Sequence, residues 1–493
     1  MIKPDDIADV FGHGRAYAWM DSGKPLETVD KSLKLFQQGK FEDAVKYLKN
    51  VIELDPANNT AHDLLGAILN MMGRSGDVIR HFEKLLVLDP NSSTAYAGLG
   101  NAFASMHHHA KACEYFDLAL GLDPDNIIAH IGKAFAMANL DNHTEAIKSF
   151  ENILKLDPNN VTAHVGRGDM LLLLNMPVKA IKCFDKATML DSDDPEPHVC
   201  KGKAFMTLDR PVKAIKCYDV ALKLDPVNIE AHVCKGMALM ILARPVKAIK
   251  CFDMVIRLDP EYNFAYKCKG NALYVLKKFD DAIECFNTAI KLDTEYGEAY
   301  TSKGNALCML EKYDDAIECF NTAIRLDPEN NLAYTFKGDA LHMLEKYDDA
   351  IECFNTAIRL DPENNLAYRY KGNALYLLEK YDDAIECFNT AIRLAPEHDA
   401  AYITKGDALY LLEKYDDAIE CFNTAIRLDT KYEIVYVSKG KTLHALKKYD
   451  DAIECFNTVI RLDPEYGEAY FSKGETLHAL KKYDGAIECF NIA

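Results

Sequence analysis

The chain has 493 residues, with 57 Lys and Arg against 76 Asp and Glu and a formal charge of −19. That balance speaks against a general binder of nucleic acid or anionic membrane, since neutralising phosphates needs clustered cations and no basic run is present. A membrane span would need roughly 18 uncharged apolar residues in a row, and none occurs; the 15 cysteines include no CxxC pair and read as reduced thiols of a cytoplasmic protein rather than as a secreted disulfide framework.

Residues 1–24, "MIKPDDIADVFGHGRAYAWMDSGK", place Asp5, Asp6 and Asp9 where a secretory leader needs an apolar stretch, and form an N-terminal segment that is a candidate helical cap. After them the tripeptide LDP, or a close variant, begins at Leu54 and returns at every 34th residue to Leu462, giving thirteen anchors without slippage. A period fixed to the residue means that each unit packs on the next through the same geometry, as in a solenoid. Residues 25–493 are therefore expected to be one array of thirteen full units and a truncated fourteenth, not the three domains that length alone would suggest.

Gly297 to Asn330, "GEAYTSKGNALCMLEKYDDAIECFNTAIRLDPEN", shows what a unit contains. At about 100° per residue, Tyr300, Gly304 and Leu307 share one stripe of a first helix, and Ala316, Phe320 and Ala323 one stripe of a second. Leu310 to Lys312 connects them. Asp314 and Asp315 open the second helix, Arg325 lies in its last turn, and Pro328 stops it. Gly304, Ala316 and Ala323 admit close backbones, and Tyr300 and Phe320 fill the remaining space. Neither helix is long enough to be stable alone, so stacking must supply stability. The 24 residues from Glu311 to Tyr334 recur letter for letter from Glu345 to Tyr368.

Two kinds of unit follow a more divergent N-terminal set. From Val161 to Tyr262 the aromatic slot holds His164, His198 and His232, and "PVKAIKC" opens the second helix at Pro177, Pro211 and Pro245. From Asn263 onward the slot holds tyrosine, from Tyr266 to Tyr470, and "YDDAIEC" or a near variant takes the place of the proline version. The surface is expected to change from mixed to acidic along the array.

An aromatic, then Gly four residues on, then Ala, then Phe four further, then Pro, all within 34 residues, resembles the tetratricopeptide repeat (TPR) family. The resemblance runs from about Pro25 to the end of the chain. The Ala slot runs from Ala44 to Ala486, with only Val78 departing, whereas the first unit has Thr28 and Ser32 in the aromatic and Gly slots. The resemblance implies an all-α fold, an α-solenoid of antiparallel helix pairs wound into a right-handed superhelix. It also implies a non-catalytic scaffold whose partners are proteins or peptides.

Several features invite a chemical reading. Cys183, Cys200, Cys217, Cys234, Cys251, Cys268 and Cys285 are spaced 17 apart, but none has a second soft ligand one turn away, and packing is the preferred reading. The histidines His62, His130, His164, His198 and His232 occupy the aromatic slot a repeat or more apart and read as partly buried aromatics; His107 to His109 lie in a turn. A Lys or Arg precedes the Gly slot in eleven consecutive units, Lys133 to Lys473, and its stem is expected to pack while its amine reaches an Asp or solvent. No phosphate loop, HExxH or GxSxG is present, so no cofactor, metal or catalytic residue is assigned.

One face remains. About 100° from the buried stripe each first helix carries Lys267, Asn271 and Tyr274; Thr301, Asn305 and Cys308; Thr335, Asp339 and His342; Arg369, Asn373 and Tyr376. It continues through Asp407 and Tyr410, Lys441 and His444, then Glu475 and His478. In TPR proteins the first helices line a concave groove whose slots touch peptides, so the resemblance implies a ligand surface here. Amides and carboxylates beside aromatics suit an extended peptide. The family's carboxylate clamp is begun by Lys267 and Asn271 but not completed, because Ser302 stands where an Asn is expected and Leu332 and Phe336 where cations are. The alternative is a structural, self-assembling protein. The sequence stops inside the last second helix at "AIECFNIA": either it is a fragment or truncation, or the apolar end face is expected to pair with another subunit in a homo-oligomer.

Overall fold

The computed structural model describes residues 31–428 and 433–493, residues 33 and 37 excepted. The readings of residues 1–24 and of Thr28 lie outside the described residues. Every regular element among the described residues is an α-helix, and the helices from Phe41 on alternate between first helices of 12 or 13 residues, such as Gly297–Cys308 and Asn331–Met343, and second helices of 14, such as Tyr313–Leu326, with Tyr483–Ile492 at 10. The two copies of the 24-mer give the same element, Tyr313–Leu326 and Tyr347–Leu360.

The loops explain why the helices stop where they do. Between the helices of a pair, one residue takes a left-handed backbone: Gly39 and Gly73 in the first two turns, then non-glycine residues such as Glu311 (φ 58°) and Glu379 (φ 59°). Between pairs, the second helix ends at Leu326, the Asp327 carboxylate accepts the Glu329 N–H at 3.0 Å, and the Asn330 side chain accepts the Ala333 N–H at 3.0 Å. "LDPEN" therefore does more than stop a helix at Pro328, since its Asp orders the turn and its Asn caps the next helix. The same cap recurs at Asn126, Asn160, Asn228 and Asn364.

The core is a row of phenylalanines. Phe320 and Ala316 are fully buried, as are Phe286, Phe354, Phe388, Phe422 and Phe456 in neighbouring units. Each ring lies over the glycine of its own first helix: a Cβ on Gly304 would stand 2.5 Å from Phe320 Cε1. Glycine is needed there for the approach of ring to backbone. Ser32, in the glycine slot of the first unit, is itself fully buried.

The chain divides into two compact units, Met1–Pro260 and Glu261–Ala493. The border falls within three residues of the change from His-type to Tyr-type repeats. Within each unit a first helix packs along its own second helix, that second helix packs on the following first helix, and consecutive first helices touch. The second unit holds 27 Lys and Arg against 42 Asp and Glu, the first 30 against 34, so the acidity is concentrated in the Tyr-type repeats.

Second-helix cysteines sit where the sequence places them. Cys183, Cys217 and Cys251 are buried beside the Ala-Phe-Ala stripe, and burial raises all three thiols. The histidines in the aromatic slot have a use that their spacing does not reveal: Nε2 of His130, His164 and His232 lies 2.9, 3.1 and 3.0 Å from the carbonyl oxygen of the proline six residues earlier.

Candidate binding face

The threonines of the proposed face turn away from it. Thr301 is buried and donates to the Gly297 carbonyl at 3.2 Å; Thr335 is fully buried, donates to the Asn331 carbonyl at 2.9 Å and accepts from Asn364 Nδ2 at 3.0 Å. A threonine hydroxyl that bonds back to the carbonyl one turn earlier in its own helix has little left for a ligand.

Lys267 is also engaged. Its side chain is only 12% exposed, its Nζ pairs with Glu298 of the next first helix, and it lies 4.9 Å from the Phe264 ring centroid and 5.5 Å from that of Tyr296. Burial alone would lower its pKa; the bond to Glu298 and the contact with Tyr296 outweigh that and raise it. Lys441 pairs with Glu468 at 2.5 Å in the same manner, so two cations of the face bridge consecutive first helices.

Asn271, Asn305, Asp339, Asn373 and Asp407 form the central row, all half-buried. Asp339 has no ion-pair partner among the described residues, and burial holds its carboxyl above the ordinary range, with Arg369 pulling the other way. Arg369 itself lies over the Tyr370 ring at 4.5 Å. Asp407 also lacks an ion-pair partner among the described residues, and burial pushes it up to about 6 against the pull of the Ser438 hydroxyl and Lys441. The Asn373 Oδ1 atom is closed to solvent and has no hydrogen-bond partner.

The third row is aromatic. Tyr274, His342, Tyr376 and Tyr410 each meet the ring that opens their own second helix, at 5.4, 5.4, 5.7 and 5.7 Å between centroids. Phe279, Tyr347, Tyr381 and Tyr415 thus belong to the same surface, which the spacing along one helix could not show. Rows two and three meet across units: burial and then Asp339 raise the half-buried Cys308 thiol to about 12, and burial and then Asp407 raise the half-buried Tyr376 hydroxyl. The same offset sets Asn373 beside His342, whose Nδ1 is likewise buried without a partner. Near the chain's end His444 Nδ1 is 2.9 Å from Thr476 Oγ1; the equivalent neighbour of His342 is Ala374, which has no hydroxyl to offer.

In the first compact unit the corresponding slots are mostly apolar, with Val165, Val199 and Val233 buried and Lys203 paired to Glu230. There the lysine before the glycine slot, which Ala134 fills in one unit, reaches a carboxylate on the preceding second helix: Lys133 to Asp117 at 2.5 Å, Lys201 to Asp185 at 2.5 Å, Lys235 to Asp219 at 2.6 Å. In the second unit that carboxylate slot is asparagine, Asn287 to Asn457, and Lys303 instead shares the surroundings of Cys319 with Asp315 and Glu318. No group of three His, Cys, Asp or Glu among the described residues is placed to hold a metal ion, and no described helix is long and apolar enough to cross a membrane.

Helix pairs stacked at a fixed 34-residue period define an all-α repeat protein. Family profiles described as tetratricopeptide repeat or TPR repeat match residues 33–73, 93–126, 137–195, 264–296, 303–365, 344–386, 371–433 and 440–481. The chain belongs to the tetratricopeptide repeat family. No curated protein matches it. Among solved structures it is similar to a chain of the APC/C hetero-tetramer Cut9-Hcn1, at 17% identity over 90% of this chain and 95% of that one (TM-score 0.48), and to MamA, at 28% identity over 33% and 95% (TM-score 0.30).

Proposed function

We propose that the protein is a non-catalytic cytoplasmic scaffold that holds protein or peptide segments against the first-helix face of its second compact unit. On this reading residues 25–493 work as one array, and Asn271, Asn305, Asp339, His342, Asn373, Tyr376, Asp407 and Tyr410 contact the ligand, while Lys267 and Thr301 shape the face from behind. The observation that carries the proposal is the set of half-buried polar groups left incompletely satisfied on one continuous face: Asn373 Oδ1 and His342 Nδ1 without partners, and Asp339 and Asp407 without ion pairs. Such groups weaken a fold unless water or a ligand completes them.

A pull-down from native lysate with Asn305→Ala/Asn373→Ala tests the proposal. Loss of partners recovered by the unaltered chain supports it, and equal recovery removes its support.

A further inference from the structure

The face has a chemical polarity of its own. In the middle of the second unit the carboxylates of Asp339 and Asp407 have no ion pair among the described residues, Asp407 being held by the Ser438 hydroxyl alone, and Asn373 Oδ1 between them has no hydrogen-bond partner; His342 Nδ1 is the other partnerless atom there. Its cations are already committed, Lys267 to Glu298, Lys441 to Glu468 and Arg369 to the Tyr370 ring. Around them the whole unit carries 42 acidic against 27 basic residues.

Resting on the reading that this face binds segments of other proteins, we propose that the segment is extended and cationic, setting one lysine or arginine against Asp339 and another against Asp407. Charge complementarity selects this occupant. An acidic tail would meet two carboxylates that lack ion pairs and that the nearby Arg369 and Lys441 only partly offset, in a half-buried setting where like charges repel strongly, and an apolar one would bury them without ion-pair partners. A lysine or arginine brings donors and charge to both, and the Tyr376 and Tyr410 rings provide faces on which such a cation packs well. Asn373, between the carboxylates, is placed to bond the segment's backbone once its amide turns outward.

The repeat also sets a spacing. Asp339 and Asp407 lie two first helices apart; with neighbouring helix axes about 8–10 Å apart, the carboxylates are separated by roughly 20 Å. An extended strand advances about 3.3 Å per residue, so the two cations are expected about six residues apart.

Three pools of end-blocked, fluorescein-labelled 14-residue peptides test this on the full chain at physiological salt. All positions are randomised among uncharged residues except two, six apart, that are both Lys, both Glu or both Gln. Anisotropy is expected to show the Lys pool binding at least about tenfold more tightly than the others, the scale of a charged hydrogen bond. Asp339→Asn/Asp407→Asn should erase that advantage, and Asp348→Asn/Asp349→Asn, on the exposed opening turn of a second helix, should keep it. If the outer variant loses binding as fully as the inner one, diffuse surface charge is responsible and the proposal fails. If the Gln or Glu pool binds as well as the Lys pool and Asn305→Ala/Asn373→Ala abolishes that binding, the cationic assignment falls while the binding face stands. If no pool binds, both fall.

Discussion

Asp407→Asn should stabilise the protein at neutral pH while weakening its binding. The carboxyl is half-buried without an ion pair, and burial lifts it to about 6 from an ordinary value near 3.8, over the opposing pull of the Ser438 hydroxyl and Lys441. A folded-state pKa above the unfolded one means that the native chain holds the extra proton between those values, so this group's contribution to stability falls as pH rises through that window. At pH 7.5 the cost is at most about 3 kcal/mol, two pKa units at roughly 1.4 kcal/mol each. The pull of the Ser438 hydroxyl is already contained in that value. The variant should therefore gain up to about 3 kcal/mol at pH 7.5, and the difference from the unaltered chain should narrow by about 2 kcal/mol at pH 4.5, where the native carboxyl is mostly protonated. Array proteins need not unfold in one step, so the assay is hydrogen exchange of the helix Asp399–Leu411, compared between the two proteins at each pH. A variant no more stable at pH 7.5, or a difference that ignores pH, would refute the reasoning.

Other perturbations test the scaffold. Phe388→Ala empties a fully buried ring site and should cost about 3–5 kcal/mol, read as faster exchange confined to the helices that contact it. Gly372→Val places atoms within 2.6 Å of the Phe388 ring and should cost at least about 1–3 kcal/mol by the same measurement. Glu379→Gly relieves a left-handed backbone at φ 59° and should be neutral or stabilising by up to about 1 kcal/mol in urea denaturation. His81 acts opposite to Asp407: burial first, then His62, lower it to about 4, so protonation favours the unfolded chain and stability is lost as pH falls below about 6.5. His81→Gln should flatten the pH dependence of exchange in Ser75–Leu88 between pH 7.5 and 5.

What the sequence discloses and what it hides divide along a physical line. Helix pairs, the Gly304 to Phe320 contact and the Ala-Phe-Ala stripe follow from spacing within a unit, because i+3 and i+4 neighbours and a fixed repeat determine them. The state of the candidate face depends on neighbouring units. Lys267 reads as a free cation until Glu298, 31 residues on, is seen to hold it. Thr301 reads as groove-facing until its hydroxyl is found on the Gly297 carbonyl. His342 lacks a partner because the following unit offers Ala374 where His444 finds Thr476. Asp407 stands out only through its burial, which no pattern of letters states.

The central claim, that ligands lie on the first-helix face of the second unit, is tested most directly by site-specific photo-crosslinking. p-Benzoylphenylalanine placed at Tyr376, an aromatic position of that face, is expected to form adducts with bound partners in native lysate. The same group placed at Asn389, exposed on the adjoining second helix, is expected to form none. Adducts from Asn389 with none from Tyr376 would contradict the account.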